Sequence, residues 1–131
     1  MKLLFKEKKF EVLRMIEEIN ESELKNVLEK NKIVIVDYSA TWCGPCQFQH
    51  VILEKLQKKY ENRVKIVTMD IDKNMHHAQA TNIFAVPTLQ IYHNKEVYKT
   101  SGGSYGDDRF VGVQTENVLS NICDKLLDYK E

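Results

Sequence analysis

The chain predicts an α/β fold: one central mixed β-sheet flanked by helices on both faces. Two stretches, IVIVDYSA (33–40) and VKIVTMDID (64–72), are nearly continuous runs of β-branched and other apolar residues. Such runs mark strands buried on both faces of a parallel sheet. A helical repeat lies between them, and strand–helix–strand units require parallel strands with right-handed crossovers. A hairpin late in the chain adds antiparallel strands.

Residues 1–14 fit either a strand or a helix through Phe10, Val12 and Leu13. They are read as an extension packed on or near a domain spanning 15–131, and KEKK (6–9) as a solvated turn. Met15 to Ile19 is a candidate first strand. Asn20 followed by Glu23 reads as an N-cap with a capping box, opening a short helix with Leu24, Val27 and Leu28 inward that ends near Asn31. After the strand at 33–40, Phe48, Ile52, Leu56 and Tyr60 recur every four residues, with Val51 and Leu53 beside them, which predicts an amphipathic helix. After 64–72, residues 74–81 form a short helix. PTLQIY (87–92) and EVYK (96–99) are strands joined by a tight turn at Asn94-Lys95. SGGSYGDD (101–108) is a glycine-rich loop insertion, and RFVGV (109–113) a further strand. Thr115 caps a final helix with Val118, Leu119, Ile122, Leu126 and Leu127 inward. Cys123 shares that face and is read as core. His50 and His93 are read as surface or packing residues.

Composition narrows the function. The 131 residues form one domain, 43% apolar and 29% charged, with 19 basic and 19 acidic side chains. A balanced charge lacks the basic patch of a nucleic-acid binder. No apolar run approaches the roughly 18 residues of a membrane span. The opening MKLLFKEKKF has three consecutive apolar residues before Lys6, short of the about 7–15 of a secretory signal. The expectation is a cytoplasmic protein, without membrane or nucleic-acid partners. Three cysteines are too few for a disulfide scaffold, so a disulfide here would be transient and chemical in purpose.

TWCGPC (41–46) sits at a strand-to-helix junction. A cysteine at a helix N-terminus meets unpaired N–H groups and the positive end of the helix dipole. Both favour thiolate, the attacking species in disulfide exchange. Cys43 is therefore the candidate nucleophile. Cys46, three residues on, shares its helix face and can resolve a mixed disulfide. Pro45 falls in the first turn, where its missing N–H costs nothing. A zinc site would need two more ligands. Cys123 faces the core, adjacent His76 and His77 diverge on a helix, and no second CxxC exists, so no metal is expected. The Gly44-Pro45 spacer and the junction argue against an inert buried pair.

VDYSATWCGPC (36–46) resembles the active site of the thioredoxin family. The resemblance continues through MDIDKN (69–74), AVPT (85–88) and RFVGVQTENVL (109–119), and covers about residues 15–129. It implies a thioredoxin fold and thiol-disulfide oxidoreductase activity with no bound cofactor, the dithiol being the redox centre. An aspartate in an apolar strand is costly unless it has work. The resemblance implies that Asp37 deprotonates Cys46; the bland alternative is a strand-end residue facing water. An X-Pro bond is more often trans, but the resemblance implies a cis Pro87 packed on the disulfide, with Val86 pairing with an extended substrate segment. Gly44 and Pro45 join that substrate surface. Trp42 would flank the pair as docking surface, or simply pack. Gly112 would let substrate backbone approach, or merely turn the strand end.

The chain departs from many relatives at Gln47 and Thr68, where lysines are frequent, and at Val51, where a proline kinks the helix. Without a lysine at 68, Asp37 is expected to hold its proton more readily. The expected partners are protein disulfides and a thioredoxin reductase-type electron donor, and the expected state is a monomer. Two rival readings stand beside the reductase: a disulfide oxidase or isomerase, and a non-catalytic binding module using the same groove.

Overall fold

The structure is a computed structural model that describes residues 16–100 and 105–128. The extension at 1–14 and the first half of the 101–108 loop lie outside the described residues.

Strand β1 is Glu17–Glu18, followed by a 3-10 turn and helix α1, Leu24–Lys30. Strand β2 is Ile33–Ser39, helix α2 Gly44–Tyr60 and strand β3 Lys65–Asp70. Helix α3, Met75–Ala80, leads to β4, Thr88–His93, and β5, Glu96–Val97. Strand β6 is Phe110–Val111 and helix α4 is Glu116–Leu127. The sheet order is β1-β3-β2-β4-β5, with β6 also on β4. Strands β1, β3 and β2 run parallel. Strand β4 is antiparallel to β2, β5 and β6. The mixed sheet is as the sequence predicts.

Side-chain alternation along β2 divides the core. Ile33 and Ile35 join Leu53, Leu56 and Tyr60 of α2 and Leu119, Cys123 and Leu126 of α4. Val34, Val36 and Tyr38 join Leu24 of α1 and Ala78 of α3 on the other face. Asp37 has the parity of Ile33 and Ile35, and so belongs to the α2 side.

Several elements are shorter than expected, for local reasons. The ladder of β1 is confined to Glu17 and Glu18; Ile19 still donates to the Thr68 carbonyl at 2.9 Å, and the Asn20–Glu23 capping box then turns the chain. Strand β3 ends at Asp70, whose carboxylate accepts from the Asp72 amide at 2.8 Å and the Lys73 amide at 3.2 Å. Strand β4 starts after Pro87, which has no N–H to give the ladder. Strand β6 stops where Gly112 takes φ +88°. The β4–β5 turn falls at Asn94 and Lys95, with φ 52° and 71°, the two left-handed residues of a tight hairpin.

Two helical faces need correction. Phe48 is 72% exposed and Val51 53%. The buried stripe of α2 is Cys46, Gln49, Leu53, Leu56 and Tyr60, rotated from the expected one. In α4, capped by Thr115 as predicted, Val118 is exposed while Cys123 is buried with Leu119 and Leu126. Burial pushes the Cys123 thiol up to about 11.

Candidate active site

The C-terminal end of β2 hands the chain to α2 across Ala40, Thr41 and Trp42. Cys43 is the N-cap of α2, and its sulfur accepts from the Cys46 backbone N–H at 3.1 Å. Pro45 lies in the first helical turn. Cys43 and Cys46 are joined as a disulfide. Both are buried, packed with Ala40, Ile71 and Val86. Burial thus does not distinguish the two sulfurs, and the choice of Cys43 as nucleophile rests on its place at the helix cap.

Three further segments close around the pair. The Val86–Pro87 peptide is cis, and the Val86 carbonyl oxygen lies 3.7 Å from Cys43 Sγ. The Gly112 N–H donates to the Pro87 carbonyl at 2.8 Å, tying the end of β6 to this loop. A Cβ on Gly112 would meet nothing within 4 Å, so its positive φ, rather than crowding, requires glycine. A Cβ on Gly44 would also point into open space. Trp42 is 68% exposed. Its indole N–H donates to Asp72 Oδ2 at 2.8 Å. The structure therefore brings Trp42, Gly44, Pro45, Val86, Pro87 and Gly112 together around Cys43 and Cys46.

Asp37 is fully buried and does not face water. Neither carboxylate oxygen has a hydrogen-bond partner among the described residues. The Thr68 hydroxyl donates instead to the Asp37 backbone carbonyl, at 3.1 Å. Loss of hydration pushes the Asp37 carboxyl up to about 7, and the nearby Thr68 hydroxyl offsets this only in part. Such a group can take and return a proton near neutrality.

Sequence reasoning missed the residues that hold these walls. Asp72 anchors Trp42. Gln49 and Gln114 are paired beneath the site, Gln114 N–H to Gln49 Oε1 at 2.6 Å. Arg109 donates to the carbonyls of Asn82 at 2.7 Å and Thr81 at 2.8 Å, bracing the segment that leads to Val86. The signal for Gln49 was present: a polar residue three positions after Cys46, in phase with Leu53 and Leu56. Tyr105, from the glycine-rich insertion, lies against Phe84 with ring centroids 5.6 Å apart. That end of the loop thus reaches the segment carrying Val86. Among the described residues, no three His, Cys, Asp or Glu side chains are grouped to hold a metal ion. No described helix is long and apolar enough to cross a membrane.

The Thioredoxin family model matches residues 15–116. The chain belongs to the thioredoxin family. A thioredoxin of Buchnera aphidicola subsp. Schizaphis graminum is 32% identical over 105 residues, covering 80% of this chain and 97% of that protein. A thioredoxin of Rickettsia prowazekii is 31% identical over 112 residues, covering 85% and 98%. Among solved structures, a mutant thioredoxin from Halobacterium salinarum NRC-1 superimposes with a TM-score of 0.74 at 25% identity, covering 90% of this chain and 96% of the other. Family membership together with the Cys43–Cys46 disulfide makes this thioredoxin a thiol-disulfide oxidoreductase. Its redox centre is the pair of sulfurs between the cap of α2 and the Val86–Pro87 loop.

Proposed function

We propose that this thioredoxin runs chiefly as a reductase of protein disulfides in the cytoplasm, as a monomer recharged by a thioredoxin reductase-type donor. The observation that carries the reading is the Cys43–Cys46 disulfide at the cap of α2, supported by an Asp37 carboxyl buried on the α2 side of the sheet with no hydrogen-bond partner among the described residues. The Cys43 thiolate attacks one sulfur of a substrate disulfide. That S–S bond breaks, a substrate thiolate leaves and takes a proton from water, and Cys43 is held in a mixed disulfide. The Cys46 thiol gives its proton to Asp37 and attacks Cys43 Sγ. The second substrate thiolate leaves and is protonated by Asp37. The substrate has gained two electrons, and Cys43–Cys46 is the disulfide present in the structure.

Trp42, Gly44, Pro45, Val86, Pro87 and Gly112 form the substrate surface in this reading. An extended segment lies along the Val86–Pro87 backbone, against Gly112 on one side and the exposed indole on the other. The 1–14 extension packs on or near a domain spanning 15–131, and it and the insertion at about 101–108 tune partner choice. Insulin reduction with dithiothreitol as donor tests the reading. Wild-type protein should turn over, Cys43→Ser should be inactive, and Cys46→Ser should stall as a mixed disulfide visible by mass spectrometry. Function retained in the cell by the Cys43→Ser, Cys46→Ser double variant would instead support a binding module.

A further inference from the structure

Gln49 is fully buried on α2, with Cys46 one turn before it and Leu53 one turn after. A buried amide is costly unless its donors and acceptor are matched. The partner found is backbone, not side chain. Gln49 Oε1 accepts from the Gln114 N–H at 2.6 Å, and Gln49 Nε2 donates to the Gln114 carbonyl at 3.2 Å. Gln114 lies between β6 and α4, in neither element. No sheet ladder or helix fixes it there, and the Gln49 amide supplies both bonds that a neighbouring strand otherwise would.

The bonds continue from Gln114 to the sulfurs. Gln114 Nε2 donates to the Gly112 carbonyl at 3.1 Å. The Gly112 N–H donates to the Pro87 carbonyl at 2.8 Å, and the Val86 carbonyl faces Cys43 Sγ at 3.7 Å. With Cys46 and Gln49 on α2 and Cys43 at its cap, these contacts close a ring. It runs from the redox helix through Gln49, Gln114, Gly112 and the Val86–Pro87 loop back to Cys43.

We propose that Gln49 is a positioning residue for protein substrates: it fixes the distance between the cysteine helix and the Gly112 wall, and so the width of the groove that an extended substrate enters. It touches neither sulfur nor substrate. It acts on binding of a polypeptide, not on the reactivity of the thiols. The proposal builds on the reductase reading but needs only that the reduced pair attacks protein disulfides.

The test compares two oxidants of the reduced protein. Insulin must enter the groove; hydroxyethyl disulfide is too small to need it. Gln49→Met keeps length and apolar packing but makes neither bond. Its second-order rate with insulin should fall about tenfold, the scale of one lost hydrogen-bonded clamp, through a raised KM. Its rate with hydroxyethyl disulfide should stay within about twofold, since nothing at the sulfurs has changed. Equal losses with both oxidants, or none with insulin, overturn the proposal. Should Gln49→Met fail to fold, amide exchange in the wild-type protein decides. A Gln114 N–H held by a buried side chain exchanges slowly; exchange at the rate of an exposed loop amide overturns the clamp. A wild-type protein that attacks hydroxyethyl disulfide but not insulin would sink the reductase reading itself, a result distinct from either.

Discussion

Asp37 and Tyr38 are neighbours on β2, both with no solvent exposure, yet they face opposite sides of the sheet and are treated oppositely. The Tyr38 hydroxyl donates to Gln90 Oε1 at 3.1 Å and meets His77 Nε2 at 2.9 Å. Tyr92 reaches the same Gln90 oxygen at 3.2 Å. On the α2 side, the Asp37 carboxylate oxygens have no hydrogen-bond partner among the described residues. Polar groups buried with partners roughly balance their desolvation, whereas one buried alone is a net cost. The α3 side uses its polar groups to hold the sheet and helix together. The α2 side keeps one carboxyl without such a partner, whose pKa burial raises to about 7 and which the proposed mechanism uses to pass a proton.

The sharpest way to break that contrast is Asp37→Asn. Below about pH 4 both the folded and unfolded chains hold the Asp37 proton, and the group contributes nothing. As pH rises from the ordinary 3.8 to the folded value of about 7, the unfolded chain ionises while the folded protein must keep its proton. Stability therefore falls across that window and then levels off, by on the order of 4 kcal/mol in all. Urea unfolding of Asp37→Asn should lose this slope and show a gain at pH 8, reduced by the burial of an unpaired amide. Resolution of the mixed disulfide should slow at least about a hundredfold without the proton acceptor. An unchanged pH slope would mean that Asp37 is not the unpaired acid described.

Tyr38→Phe should do the reverse. It should cost about 1 kcal/mol, because Gln90 Oε1 keeps Tyr92, and leave the resolution rate intact. A slowed resolution step would show that the two faces are coupled. The smallest effect belongs to His77, whose pKa burial lowers from its ordinary 6.5. As pH falls through 6.5 the unfolded chain takes the proton first, so stability declines towards acid. His77→Gln should flatten that limb of a melting-temperature profile while leaving the neutral value nearly unchanged.

The redox centre was legible because its chemistry is local: two cysteines, a helix cap and a Gly-Pro spacer all lie within one short stretch. The burial of Asp37 was legible because the surrounding strand is apolar on both faces. The rotation of α2 was not. Counting apolar residues selects Phe48 and Ile52 as the inner stripe, but burial follows from what the other side offers. The backbone of Gln114 gives Gln49 two partners, and Phe48 is left outside. The same holds for Arg109, whose place depends on free carbonyls at the end of α3, far away in sequence. Val118 was misread because the final helix buries only a narrow stripe through Leu119, Cys123 and Leu126. The short β5 and β6 reflect pairing with opposite ends of a single β4 edge, a tertiary fact that no local propensity encodes.

The measurement that bears most directly on the central claim is the equilibrium reduction potential of Cys43–Cys46 against dithiothreitol or glutathione buffers. For this two-electron couple, about 30 mV corresponds to roughly 1.4 kcal/mol, so modest shifts decide. A potential near about −270 mV, well below the roughly −200 to −230 mV of glutaredoxins, is what a protein disulfide reductase requires. A potential near about −180 mV or higher, in the range of disulfide isomerases and oxidases, would contradict it and make this pair a giver of disulfides.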